Sequence, residues 1–315
     1  MVYLFINIVT SLNSSTDEYA LLAFKSQITS DPNKILEKNW SQGTSFCNWI
    51  GITCGRRHQR VRGLNLADMG VGGTITKEIG ELSFLRSLII SNNNFHGFIP
   101  NEIGKLRQLQ EIEMQYNVLT GSIPPTFEFL ESLLKLNISH NGLTGNIPSR
   151  IFNLTSLIEI SFWNNSLLGS LPMDICFNLP KLERLRISMN QLGGNIPPSL
   201  GACMSLKLLS LSYNNFVGSI PTEIGKLSKL QKLYLRRNNL TEKIPNEIGN
   251  LLALIYLDLG DNGFNGNIPK EIGYLSAIEY LDLESNSLTG HIPNEIRNLS
   301  ALVYLDLGDN GFNDK

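Results

Sequence analysis

Residues 133–148, LLKLNISHNGLTGNIP, carry one turn of a pattern that governs most of the chain. Leu133, Leu136, Ile138, Asn141, Leu143, Gly145, Ile147 and Pro148 define the frame L-x-x-L-x-L-x-x-N-x-L-x-G-x-I-P. Its asparagine returns as Asn93, Asn117, Asn141, Asn165, Asn190, Asn214, Asn238, Asn262, Asn286 and Asn310, every 24 residues except for one 25-residue step across MDICFNLP. A degenerate first copy uses Val61, Leu64, Leu66 and Met69, giving eleven units. A fixed period of this length replaces the usual estimate of domain number by chain length, because each unit can bury its apolar face only against its neighbours.

The alternation x-L-x-L-x predicts a short strand with inward leucines, and stacked units pair those strands into one parallel sheet. The fold class is therefore α/β, a right-handed solenoid with the sheet on its concave wall and short helical or 3-10 segments on the convex side. At about 4.8 Å per coil, eleven coils extend roughly 50 Å. Each asparagine turns the chain out of the strand, and its amide can satisfy backbone groups of the adjacent coil. Glycine opens nearly every G-x-I-P; Glu242 is the exception, which predicts a local distortion there.

A solenoid needs a cap over its first coil. Ser15 and Glu18 stand in capping-box spacing ahead of Ala20, Leu21, Phe24 and Ile28, predicting a helix of about 12 residues that ends at Asp31-Pro32. Trp40, Trp49 and the segment CNWIGITC follow. The organisation expected is a truncated signal peptide over 1–15, a cap over 16–60, and repeats over 61–315. The apolar stretch of about nine residues at the start is too short to span a bilayer, which needs roughly 20.

Cys47 and Cys54 lie close enough in sequence to close a small disulfide loop, which implies an oxidising compartment. Cys203 takes a position that other repeats fill with Leu, so Cys176 and Cys203 read as buried free thiols rather than a second bridge. N-x-S/T sequons occur at Asn13, Asn39, Asn137, Asn153, Asn164, Asn239 and Asn298. Asn153 and Asn298 share one repeat position that faces solvent, and are the strongest glycosylation candidates.

A formal net charge of −2 provides no general attraction for phosphate backbones, so nucleic acid is not an expected partner. The RRHQR run at 56–60 reads as a solvated cap loop. His58, His96, His140 and His291 fall in different coils without metal-ligand spacing. No nucleophile, base and orienting acid can be assembled, so no catalytic residue, metal site or cofactor is expected.

The 24-residue period and the half-repeat FVGSIPTEIGKL at 216–227 resemble plant extracellular leucine-rich-repeat proteins. DEYALLAFKSQI, then Trp40, then CNWIGITCGRRHQRV is similar to the cap of plant leucine-rich-repeat receptor kinases, above all the subgroup that senses microbial patterns. The resemblance covers almost the whole chain. It implies an ectodomain at the cell surface or outside it, recognising a peptide or protein ligand and acting through a membrane-bound serine/threonine kinase, with a co-receptor kinase as further partner. The sequence departs from that pattern: no membrane helix and no kinase signature are present. The segment at 244–265 recurs at 292–313 with 19 of 22 residues identical, and the second copy stops mid-coil, which reads as a fragment. The competing expectation is a secreted leucine-rich-repeat inhibitor of a cell-wall hydrolase, which should end in a capping segment.

Recognition is expected at the outward strand positions, which no packing constraint fixes. One group is basic and aromatic: Trp163, Arg184, Arg186, Lys207, Tyr213, Lys232, Tyr234, Arg236 and Arg237, beside Glu159. Such a stretch suits an acidic or carboxylate-bearing ligand. The other group reverses the sign, with Tyr256, Tyr280 and Tyr304 at one repeat position and Asp258, Asp282 and Asp306 two residues on. Glycans at Asn137 and Asn164 on the same wall would push a ligand toward the later coils.

Overall fold

The computed structural model describes residues 15–313, so the expected signal peptide and Asn13 lie outside the described residues. Two compact units divide near Ser156 and Leu157.

In the first unit, residues 15–26 are helical, with Ala20, Leu21 and Phe24 fully buried. Ile28 belongs not to that helix but to the strand Ile28–Ser30, antiparallel to Gly72–Thr74. Asp31 starts a second short helix, Ile35–Asn39, by accepting the amide hydrogens of Ile35 and Leu36, both at 2.8 Å. Trp40 is fully buried, stacks on Trp49 at 5.3 Å and donates its indole N–H to the Ile50 carbonyl. Cys47 and Cys54 form a disulfide across this cap.

The run at 56–60 is not wholly a solvated loop. Arg60 is buried, and its guanidinium donates at 2.8 and 2.7 Å to the two carboxylate oxygens of Asp17, itself fully buried. Asp17 also accepts the Val61 amide at 2.9 Å, and Arg60 lies 4.7 Å from the Phe84 ring centre. A bidentate pair with its remaining acceptor filled ties the first helix to the first coil.

Behind the cap, Ile52–Cys54 pairs antiparallel with Val61–Asn65, which continues in parallel register through Ser87–Ile89, Glu111–Glu113 and Lys135–Asn137. In the second unit the corresponding strands are Glu159–Ser161, Arg184–Arg186, Leu208–Ser210, Lys232–Tyr234, Tyr256–Asp258, Tyr280–Asp282 and Tyr304–Asp306. Short 3-10 turns such as Asn246–Asn250 occupy the other side of the coils. The inward columns are fully buried, as at Leu185, Leu209, Leu233, Leu257 and Leu281.

The asparagine ladder satisfies backbone groups of two coils at once. Asn238 donates to the carbonyls of Leu211 and Leu235 and accepts the Phe216 amide, at 3.1, 2.9 and 3.1 Å. Asn117 in the first unit does the same for Ile90, Met114 and Phe95. The residue before each ladder asparagine takes a left-handed conformation, as at Tyr116, Tyr213 and Arg237 with φ of 57, 55 and 53°. Glu242 adopts φ 67°, close to the 76° of Gly218 at the equivalent position. Glu242 takes the conformation that glycine takes elsewhere, with the steric cost of a side chain, and the strand is locally disturbed: it shortens to Asn239–Leu240 and does not pair with Asn265–Gly266 of the next coil.

Cys176 and Cys203 are joined, with Cα atoms 5.2 Å apart, and are not free thiols. The extra residue of the 25-residue step lies in MDICFNLP, where residues 173–178 form turns rather than a 3-10 helix. That turn buries Cys176, leaving 2% of it exposed, beside the coil in which Cys203 fills the closing apolar position.

Candidate ligand groove on the second unit

The expected contact residues all belong to the second unit, and its parallel register fixes their neighbours. Glu159 stands beside Arg184, Tyr234 beside Asp258, Tyr256 beside Tyr280, and Asp282 beside Asp306. Side chains in register on parallel strands lie about one strand spacing apart, so each column behaves as a ladder.

Tyr256, Tyr280 and Tyr304 form one column, and Tyr234, which stands in the column of Asp258, extends the run of rings diagonally. Ring centres of Tyr234 and Tyr256 lie 4.6 Å apart, those of Tyr256 and Tyr280 4.0 Å, and those of Tyr280 and Tyr304 4.3 Å, the last two pairs stacked within 5° of parallel. Burial raises the Tyr234, Tyr256 and Tyr280 hydroxyls above the usual tyrosine range. Tyr304 is also raised, first by its hydrogen bond to Asp306.

The basic group is largely neutralised by its own neighbours. Arg184 pairs with Glu159 at 2.9 Å, and Arg186 bonds the same carboxylate. Lys207 pairs with Glu183 at 2.9 Å, holding that carboxyl below its ordinary range. Arg237 is exposed and sits 5.6 Å from the Tyr213 ring centre, and Lys232 is exposed in register with Tyr256.

Arg236 is the most committed of these cations. It pairs with Asp282 at 2.9 Å and Asp261 at 2.7 Å, and bonds Glu284. Burial by itself would lower its pKa, but the Glu284 hydrogen bond and the charges of Asp261, Asp258 and Asp282 raise it. The reach to Asp282 crosses a whole coil, and Gly260 leaves the space: a Cβ there would meet Arg236 Nη1 at 2.9 Å and Asp282 Oδ1 at 3.1 Å. Arg236 is thus a structural hub rather than a cation available to a ligand.

Asp258 differs from the other acids. It is 7% exposed and accepts the Gly260 amide at 3.2 Å, yet no cation lies within ion-pair distance of it among the described residues. Burial first, and the Asp282 charge second, push its carboxyl up to about 6. Beside it opens a groove of about 240 Å³ lined by Trp163, Tyr213, Tyr234, Tyr256, Asp258 and Arg236, with Ser188, Met189, Ser210 and Ser212. Ser188 and Ser210 share a hydrogen bond at 2.6 Å, whereas the buried Ser212 hydroxyl has no partner.

The aromatic and charged members of this groove are outward positions evident in the repeat pattern, whereas its serines and the charge pairing are not. Aligning the coils across the 25-residue step held the signal for Arg184, since its column neighbour is Glu159. Nothing in it marked Ser212. Among the sequons, Asn39, Asn153, Asn239 and Asn298 are exposed, while Asn137 and Asn164 are half-buried. No group of residues among those described has the makings of a metal site, and no described helix is long and apolar enough to cross a membrane.

Family models of leucine-rich repeats match along the chain: an N-terminal domain at 14–55, a leucine-rich repeat region at 55–195, and leucine rich repeats at 204–264 and 277–299. The chain belongs to the leucine-rich-repeat family. A segment covering 26% of this leucine-rich-repeat chain is 46% identical to the LRR receptor-like serine/threonine-protein kinase EFR of Arabidopsis thaliana, of which it spans 8%. The solved ectodomain of GASSHO1/SCHENGEN3 from Arabidopsis thaliana, in complex with CASPARIAN STRIP INTEGRITY FACTOR 2, superposes on 94% of this chain at TM-score 0.90 and 33% identity, and the match covers 36% of that ectodomain. The Arabidopsis HAESA ectodomain, bound to an extended IDA peptide hormone ligand, matches 95% of the chain and 50% of its own length at TM-score 0.82 and 30% identity. These likenesses fall on the ectodomains of the relatives, whose full length the chain spans only in small part.

Proposed function

We propose that this chain is the ligand-recognition part of a plant leucine-rich-repeat receptor kinase, and that it binds an extracellular peptide or protein segment along the outer face of the second unit's sheet. The observation that carries the reading is the aromatic ladder Tyr234, Tyr256, Tyr280 and Tyr304 running into the groove at Trp163 and Tyr213. Aligned aromatic rings supply contact area at low entropic cost, and peptide segments are bound by such platforms with polar groups fixing the register. The solved relatives just described, each holding its partner, support it.

Two disulfides and exposed sequons support an extracellular or plasma-membrane outer-face location. Signalling would then fall to a kinase domain outside these residues, with a co-receptor kinase as second partner; the residues described supply recognition and no catalysis.

Panning a random peptide library on the purified chain tests this. Enriched peptides should lose at least tenfold in affinity to Tyr256→Ala and Tyr280→Ala, and keep it with Met204→Ala, an exposed residue on the 3-10 side of the same unit. Enrichment that is indifferent to both tyrosines would overturn the reading.

A further inference from the structure

The groove's electrostatics are opposite to what its sequence composition implies. Four carboxylates, Asp258, Asp261, Asp282 and Glu284, converge on the single guanidinium of Arg236. Arg236 meets three of them directly, and Asp258 is left without an ion pair. A buried carboxylate with no cation is costly, which is why its pKa is raised; such a group is stabilised by whatever cation reaches it. The walls around it are Tyr234, Tyr256 and Trp163, ring faces that attract a positive charge, and Tyr213, whose ring already carries the Arg237 guanidinium. At the floor, the Ser212 hydroxyl is buried and unpartnered, an acceptor waiting for an N–H.

We propose that this groove takes a cationic nitrogen of the ligand, a Lys or Arg side chain or a free amino terminus, between the aromatic rings and against Asp258 and Ser212. The inference rests on the peptide-recognition reading and sharpens it. The size agrees: about 240 Å³ is smaller than the several hundred cubic ångströms typical of whole-ligand pockets and suits one side chain. The competing chemistry, a ligand carboxylate held by the basic group, is disfavoured because Arg184, Arg186, Lys207 and Arg236 already hold carboxylates.

A small probe isolates the groove from the rest of the ligand surface. Trp40 and Trp49 are buried in the cap, whereas Trp163 lines the groove, so its fluorescence reports occupancy. Nα-acetyl-lysine amide should give a saturable change with Kd on the order of millimolar. Nα-acetyl-norleucine amide, with an uncharged side chain one heavy atom shorter, should bind at least tenfold more weakly, and the anion Nα-acetyl-norleucine should bind no better than the neutral probe. Asp258→Asn should erase the preference for the cation while the thermal transition shows the chain folded. Tyr256→Ala should weaken the cation through the ring instead of the charge. Equal binding of charged and neutral probes, preference for the anion, or no cation binding up to about 100 mM overturns the proposal. Peptides that still pan onto the tyrosine ladder without any need for a basic group would sink this inference and leave the proposed function standing; loss of both would sink both.

Discussion

Each unit of the chain buries carboxylates on or beside its sheet, and the two units use them differently. In the first unit, Asp17 is completely satisfied: two bonds from Arg60 and one from the Val61 amide fill its oxygens. In the second, Asp282 is held by Arg236, but Asp258, one strand earlier in the same column, has a single backbone bond and no cation. The surrounding strand faces differ in the same sense. Lys135 in the first unit joins Glu111 and Glu113 into a closed local network, whereas the second unit presents a stacked tyrosine column running beside an unbalanced acidic one. A saturated buried charge holds structure together; an unsaturated one beside an open groove is poised for a partner.

The largest effect should come from breaking the saturated pair. Asp17→Ala leaves the Arg60 guanidinium buried and uncompensated, which costs about 3–5 kcal/mol. Urea denaturation should show that loss, with cap proteolysis rising in parallel. A loss below about 1 kcal/mol would mean that the pair is not what fastens the cap.

Next comes a test of what the units share. Asn117→Ala and Asn238→Ala each leave one amide hydrogen, that of Phe95 or Phe216, without its partner, while the carbonyls they share keep the ladder asparagine of a neighbouring coil, so each should lose about 1–3 kcal/mol. The two losses should agree within about 0.5 kcal/mol, because the ladder geometry is the same in both units. Unequal losses would show that the frame itself, not only the variable face, distinguishes the units.

That equality is also why so much of the fold could be read from the sequence. The ladder asparagines and inward leucines obey a period, so Asn238 and Leu233 announce their environments wherever they occur. Charge pairing does not obey it: Arg236 reaches Asp282 over 46 residues because Gly260 leaves room, and Arg60 reaches Asp17 across the cap. The Cys176–Cys203 bridge likewise depends on a one-residue insertion that breaks the period. At the groove, the aromatic residues were legible as outward positions, while the sign of its field was not, because composition counts charges and the structure decides which are already neutralised.

Asp258 gives the pH-dependent member of the comparison. Its folded-state pKa, pushed up to about 6 from 3.8, means that the folded chain holds the proton more tightly than the unfolded one. The corresponding stability is present below about pH 4 and is lost as pH rises through about 6; at about 1.4 kcal/mol per pH unit this bounds the effect near 3 kcal/mol. Asp258→Asn should therefore be more stable than the wild type at pH 7 and nearly equal to it at pH 4, measured as the difference between their urea midpoints. A wild-type advantage at pH 7 would show that Arg236 already compensates Asp258, and the contrast with Asp17 would disappear.

The smallest expected effect concerns a position where the second unit departs from the shared frame. Glu242 holds φ 67° where Gly97, Gly121 and Gly145 in the first unit hold 78, 78 and 76°. An L side chain in that conformation costs about 1–2 kcal/mol, and glycine returns part of the gain through the greater freedom of the unfolded chain. Glu242→Gly should thus stabilise the chain by about 0.5–1 kcal/mol without changing probe binding, since Glu242 does not line the groove. The reverse exchange at Gly121 should cost more than Glu242→Gly gains. A Cβ at Gly121 would meet the Phe98 ring at 2.3 Å, whereas Glu242 already sits in a coil adapted to it. If Glu242→Gly instead destabilised the chain, the side chain at 242 would have to be making contacts worth more than its backbone strain.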